Sequence, residues 1–109
     1  GQRVLVDRLW PRGVAKEEAR LDAWLREAAP SHVLRERFHG RAEKWEEFCR
    51  HYGEELDTRP EVVADLLARA ARGRLTLLFA SRDAERNNAA ALATYLRARA
   101  AQGVAARRP

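Results

Sequence analysis

Two short apolar runs in this chain end alike, and both ends carry residues able to do chemistry. Val4, Leu5 and Val6 run into Asp7-Arg8-Leu9-Trp10-Pro11-Arg12-Gly13. Leu75 to Ala80 (LTLLFA) runs into Ser81-Arg82-Asp83, with Arg86, Asn87 and Asn88 close behind. Guanidinium forks at Arg8, Arg12, Arg82 and Arg86 suit bidentate recognition of phosphate or carboxylate. Asp83 stands where a helix should begin, so its side chain can cap free backbone N–H groups. A helix start at that point also presents unpaired N–H groups and partial positive charge to an anion. Pro11 and Gly13 bracket Arg12, fixing the loop and letting a ligand approach the backbone. The pattern therefore points to a small anionic ligand, phosphate- or nucleotide-like. Its candidate binding residues are Asp7, Arg8, Trp10, Arg12, Ser81, Arg82, Asp83 and Asn87. A purely architectural account stands beside it: Asp83 caps its helix, Asp7 pairs with a neighbouring arginine, and Trp10 and Pro11 shape a turn.

No catalytic group or cofactor is identified. The chain has no G-x-x-x-x-G-K-[ST], no G-x-G-x-x-G and no G-x-S-x-G. Cys49 falls on the apolar stripe of a predicted helix and reads as an unreactive core residue. His39, Cys49 and His51 lack the spacing of zinc ligands, and no metal site is expected. His32 and His39 flank a short helix as surface residues.

These groups need elements to hold them. The unbroken apolar character of Val4–Val6 and Leu75–Phe79 predicts neighbouring parallel strands covered on both faces. If the two are parallel, their polar ends emerge on one rim, where ligands of open α/β sheets bind. Leu21, Trp24, Leu25 and Ala28 recur with helical spacing, predicting an amphipathic helix from Lys16 to Ala28 that ends before Pro30. Ser31 should cap a short helix through Phe38, broken by Gly40. Trp45, Phe48, Cys49, Tyr52 and Leu56 stripe a helix from about Ala42 to Leu56. Pro60 opens another, with Val63, Leu66, Leu67 and Ala70 facing in. Asp83 should cap the last long helix, which buries Leu92 and Leu96.

The fold class this predicts is α/β: a small single domain with a short parallel sheet flanked by helices. It spans residues 1–101, followed by a flexible basic tail at 102–109. Two strands make a poor sheet, so a partner strand is expected either upstream of Gly1 or from a second chain. The second option would make a homodimer through an open sheet edge.

Composition narrows the function classes. With 109 residues the chain is one domain long, and its single cysteine excludes a disulfide framework. No apolar run approaches a membrane span, so a cytoplasmic protein without membrane contact is expected. The net charge of +5 admits nucleic acid as a partner. However, the excess is almost all arginine, scattered among many alanines as GC-rich codon usage would produce. Nucleic acid is therefore an admitted partner but not the favoured one. A protein-interaction module is the third class considered.

The stretches GQRVLVDRLWPRGVAKEEARLDAWLREAAPS, KWEEFCRHYGEEL and LTLLFASRDAERNNAAALATYL, in that order, resemble the YeaO-like family, a bacterial domain of unknown function. VDRLWPRG is the most specific part. The resemblance implies a single α/β domain, preceded in relatives by an N-terminal segment that reads as a strand. It also implies a Lys-Asp pair followed by His-Asn after the second strand. Arg82, Asp83, Arg86 and Asn87 stand at those positions, so an acid–base or metal role of that histidine would be lost at Arg86. Some members are labelled transcriptional regulators, but no helix-turn-helix pattern occurs in this chain.

Overall fold

The computed structural model describes residues 1–11, 13–15, 20–79 and 87–106. Three strands, β1 (Gln2–Leu5), β2 (Ala23–Trp24) and β3 (Leu75–Leu78), form a parallel sheet in the order β2-β1-β3. Between β2 and β3 come α1 (His32–Phe38), α2 (Trp45–Asp57) and α3 (Pro60–Ala71), and α4 (Asn88–Ala106) follows β3. Single 3-10 turns occupy Arg26–Ala28 and Ala42–Lys44. The fold is thus the small α/β domain that the sequence predicts.

The two apolar runs pair as expected, with Val4 opposite Leu77 and Leu5 opposite Leu78. Their burial differs. Val4, Leu5 and Val6 are at most 3% exposed, whereas every residue of β3 is only half-buried, because β3 is an edge strand. The expectation that both runs are covered on both faces holds for β1 alone.

The expected helix from Lys16 to Ala28 is corrected at its C-terminal half. Ala23 and Trp24 pair with Val4 and Leu5 as the third strand. Asp22 N–H donates to the Arg3 carbonyl at 2.8 Å, and Leu25 N–H to that of Leu5 at 2.9 Å. The Asp22 carboxylate also accepts from Arg3 N–H at 2.7 Å. Helical spacing of four apolar residues is outweighed here by backbone pairing to a central strand, which no local pattern encodes. The sheet's third strand therefore comes from inside the chain. Residues 16–19 lie outside the described residues.

Side chains from all four helices close on Val4 and Val6 in one core: Leu34 and Phe38 from α1, Tyr52 and Leu56 from α2, Val63 and Leu66 from α3, Leu92 and Leu96 from α4. The opposite face, carrying Arg3 and Leu5, is met by the β1–β2 connection through Trp10, Pro11 and Leu21. This division follows from handedness. The step from β1 to β2 and the step from β2 to β3 run in opposite directions across the sheet, so two right-handed crossovers must lie on opposite faces.

Local signals set the helix ends. Ser31 Oγ accepts from Leu34 N–H at 3.1 Å and caps α1, and Gly40, at φ 69°, takes the left-handed turn that ends it. Pro60 occupies the first turn of α3. The cap of α4 is Asn87, whose Oδ1 accepts from Ala90 N–H at 2.9 Å, in the role expected of Asp83. Helix α4 also continues to Ala106, four residues beyond the expected start of a tail at Gln102.

Candidate functional site

At the carboxyl end of β1 the chain passes into Asp7, which is buried at 6% exposure. Asn87, at 5%, is the other buried polar residue there among those described. Between them in the contact network stands Asn88, in the first turn of α4. Its Nδ2 donates to the Val6 carbonyl at 2.7 Å and makes a long contact of 3.5 Å to Asp7 Oδ1. The amide thus ties the start of the last helix to the end of the central strand, with the Asp7 carboxylate between them. On the other side, Trp24 Nε1–H donates to the Asp7 carbonyl at 2.6 Å, fixing the backbone of the rim to β2.

Trp10 lies edge-on to Trp24, with centroids 5.4 Å apart, and its Nε1–H donates to the Val14 carbonyl at 2.6 Å. That bond ties Trp10 to Val14. Arg8 turns the other way. Its guanidinium reaches the carbonyls of Pro30 and Ala29 at 3.4 and 3.5 Å and lies 3.7 Å from a Glu27 carboxylate oxygen. Arg8 therefore holds the segment that follows β2 rather than pointing to an open site.

The structure thus joins Asp7 to the start of α4 through Asn88, the residue after Asn87, with Trp10 and Arg8 at the same end of the sheet. Arg12, Ser81, Arg82 and Asp83, and with them Arg86, lie outside the described residues. The anion site predicted from sequence is therefore represented here by its acid, its asparagine and the helix start, together with one arginine already engaged.

A second polar cluster had no signal in the sequence. The Glu27–Ser31 segment is held by groups 24 to 32 residues away in the chain. Tyr52 O–H donates to the Ala28 carbonyl, and Ser31 N–H to Glu55 Oε1 at 2.8 Å. Ser31 O–H donates to the other oxygen of Glu55, and Arg59 donates to the carbonyls of Ala29 and Glu27 at 2.8 and 2.9 Å. Burial pushes the Tyr52 hydroxyl well above the ordinary tyrosine range. Arg59 and Arg8 oppose the shift, while the carboxylates of Glu55 and Asp7 reinforce it. In the sequence Tyr52 is a member of an apolar stripe. Its polar end in fact serves as a strut between α2 and the end of β2.

Cys49 is half-buried against the core rather than fully buried, and its thiol is pushed up by burial and by the Glu46 carboxylate, which keeps it protonated. His32 and His39 are exposed, as expected. Among the described residues no three His, Cys, Asp or Glu side chains gather to hold a metal ion, and no helix is long and apolar enough to cross a membrane. A shallow groove of about 850 Å³ runs between β2 and α3, past Trp24, Arg26, Arg59 and Pro60. A smaller one of about 250 Å³ lies between the sheet and the loop, at Arg3, Leu5, Trp10, Pro11 and Leu78.

With this geometry in view, comparison with known proteins gives a consistent answer. The family model described as "Inactive DUF488-N3 subclade" matches residues 1–109. The uncharacterized protein Rv3073c of Mycobacterium tuberculosis is 41% identical over 99 residues, covering 91% of this chain and 83% of that one. The uncharacterized protein YeaO of Escherichia coli is 40% identical over 97 residues, covering 89% of this chain and 84% of its own length. No solved structure matches the chain.

Proposed function

Since the chain belongs to the DUF488-N3i family, the inactive DUF488-N3 subclade, we propose that it works by binding rather than by turnover. Its ligand is a small anion, phosphate- or nucleotide-like, seated at the carboxyl ends of the strands. One observation carries this reading. Asn88 bonds to the Val6 carbonyl, so the 19-residue helix α4 begins directly over the end of the central strand. A helix start at that place offers N–H groups to an anion, and open parallel sheets bind their ligands there. The family description supports binding over catalysis, and so does a rim whose described acid, Asp7, is buried and held by Asn88. The charge needed to attract an anion falls to Arg12 and Arg82, since Arg8 is engaged by the Ala29 and Pro30 carbonyls.

The test is a thermal-shift and calorimetric titration with inorganic phosphate, a nucleoside monophosphate and a nucleoside triphosphate. It is run on the natural chain and on Arg12→Ala. The reading expects a saturable shift with at least one of these, weakened at least ~10-fold by Arg12→Ala with the melting temperature of the free protein unchanged. No saturable binding to any of the three overturns it. So does an Arg12→Ala variant that melts lower but binds as before, because the arginine would then be a structural tie.

A further inference from the structure

The net charge of +5 is unevenly placed along the chain. Its 21 Lys and Arg and 16 Asp and Glu divide as 16 and 16 up to Glu85, and as five and none from Arg86 onward. The first 85 residues are therefore neutral, and the whole excess lies on Arg86, Arg97, Arg99, Arg107 and Arg108. Codon usage accounts for arginine in place of lysine, but it gives no reason for acids to stop at Glu85. Cations near a helix C-terminus also favour the helix itself, yet that effect fades within the last turn. Arg97 stands nine residues before the end of α4 at Ala106.

The structure shows where this arm leaves the core. Leu96 is the last buried residue of α4, at 7% exposure, and every residue from Arg97 to Gln102 is exposed. No ion pair engages Arg97 among the described residues. Arg99 lies 3.8 Å from an Asp57 oxygen, but both side chains are about half exposed, a surface pair that yields readily to a competing anion. Arg97 is nine positions beyond Asn88, about 14 Å along the helix axis, so this surface is separate from the rim.

What the arm lacks selects its partner. Beyond Leu96 the sequence RARAAQGVAARRP has no aromatic residue, and Val104 is its one aliphatic side chain larger than alanine or proline. A helix lying in a membrane surface needs a broad apolar face, and one seated in a protein groove needs large apolar anchors. Proteins that hold single strands stack the bases on aromatic rings. The arm has none of these features. It offers arginine forks among small side chains, which suit the phosphates of a duplex, where contact is electrostatic and independent of sequence. We infer that the C-terminal arm, from Arg97 onward, binds the phosphate backbone of double-stranded nucleic acid without reading its sequence.

A DNA duplex of about 20 base pairs, titrated by fluorescence anisotropy at about 50 mM salt, should bind saturably with Kd of about 1–100 μM. With three or four phosphates neutralised, log K should fall against log salt with a slope of about −3. Arg97→Gln, Arg107→Gln and Arg108→Gln combined should weaken binding at least ~10-fold and flatten the slope, with the melting temperature unchanged. A matched control, Arg35→Gln, Arg41→Gln and Arg50→Gln, removes the same charge from exposed positions on the body. It should weaken binding less than ~3-fold. Arg12→Ala should bind the duplex as the natural chain does, whatever it does to small anions. No saturable binding, or a slope shallower than about −1, overturns the inference, and neither readout needs a variant. A control that loses as much as the arm variant does so too, because general charge attraction would then suffice. Loss in Arg12→Ala alone has the same consequence, since the phosphates would then be taken at the rim. So does tighter binding to vesicles of phosphatidylserine and phosphatidylcholine than to the duplex.

Discussion

The two faces of the sheet are held in different ways. On the helical face Val4 and Val6 meet Tyr52, Leu56, Leu66 and Leu92, all at most 1% exposed and drawn from three helices. On the other face Leu5 is covered by a connection whose described residues include Leu9 at 75% exposure and Val14 at 37%, and Leu78 beside it is half-buried. The helical face is a packed core in which side chains fill space from several directions. Among the described residues, the loop face is tied chiefly by the Trp10 indole on Val14 and the Trp24 indole on Asp7. Stability therefore concentrates on one side of the sheet. Among the described candidates Trp10 sits on the thinly covered side, whereas Asp7 and Asn87 are buried at the end of the packed side.

The most direct way to break that comparison is Leu56→Ala. Leu56 is fully buried at the centre of the helical face, so its truncation should destabilise the protein by about 3–5 kcal/mol. Urea unfolding followed by circular dichroism measures it, and a loss below ~1 kcal/mol would mean that the core relaxes around the gap and the contrast between faces is false. Trp45 sharpens the same point from its margin. It is half-buried and stacked on Phe48 at 5.5 Å, so Trp45→Ala should cost about 2 kcal/mol, roughly half the range for a fully buried tryptophan.

The helical face was largely legible in the sequence because its signals are local. The stripe Trp45, Phe48, Tyr52, Leu56 repeats at helical spacing, Ser31 and Pro60 mark helix starts, and the structure keeps all of these. The loop face was not. Leu21, Trp24 and Leu25 also share helical spacing, yet Trp24 belongs to a two-residue strand, because its partner Leu5 lies nineteen positions earlier and supplies the backbone bonds. The rim was legible in part. The apolar-to-polar switch at Asp7 located the strand end, and the Asn87–Asn88 pair at the start of α4 was visible, but their joining through Asn88 and Val6 is a contact across 82 positions. The Glu55–Ser31 and Arg59–Ala29 ties are equally non-local.

Tyr52→Phe tests the strut between the two regions, since it removes only the hydroxyl that bonds the Ala28 carbonyl. The expected cost is about 1–2 kcal/mol, because a carbonyl in a buried segment loses its donor. The pH dependence has a definite sign. The folded pKa of Tyr52 is raised above its unfolded value, so the neutral hydroxyl's contribution is complete below the unfolded pKa of about 10. It is lost as pH rises through the folded value, so the gap between the natural chain and Tyr52→Phe should narrow above about pH 10. Tyr95 is also pushed up, to about 12, by burial and by its bond to the Asp57 carboxylate. These are the chain's two tyrosines. Absorbance at 295 nm should therefore show almost no tyrosinate near pH 10 while the protein is folded, and about half ionisation there in urea. A native titration near pH 10 would show that the Tyr52 hydroxyl is not held as described.

The smallest expected effect carries the other half of the comparison. Leu9 is a large apolar side chain, 75% exposed, two residues beyond the buried Asp7. Leu9→Ser should change stability by no more than ~0.5 kcal/mol, as for surface positions away from caps, cavities and buried polar groups. The expectation follows from its neighbours. The bonds that fix this loop are made by Asp7, Arg8 and Trp10, none through the Leu9 side chain, and the 250 Å³ groove beneath the loop is lined by Trp10, Pro11 and Leu21 without it. An exposed leucine on a loop that does not need it for folding is a contact residue for whatever the rim binds, or it is neutral. The same variant, run in the phosphate and nucleotide titrations, separates these. An anion held by arginine forks should be indifferent to Leu9→Ser. A ligand with an apolar or aromatic part, such as a nucleoside base, should lose affinity. A stability loss above ~1 kcal/mol would instead place Leu9 inside a packed second layer, and the contrast between a filled face and a thinly covered one would fail.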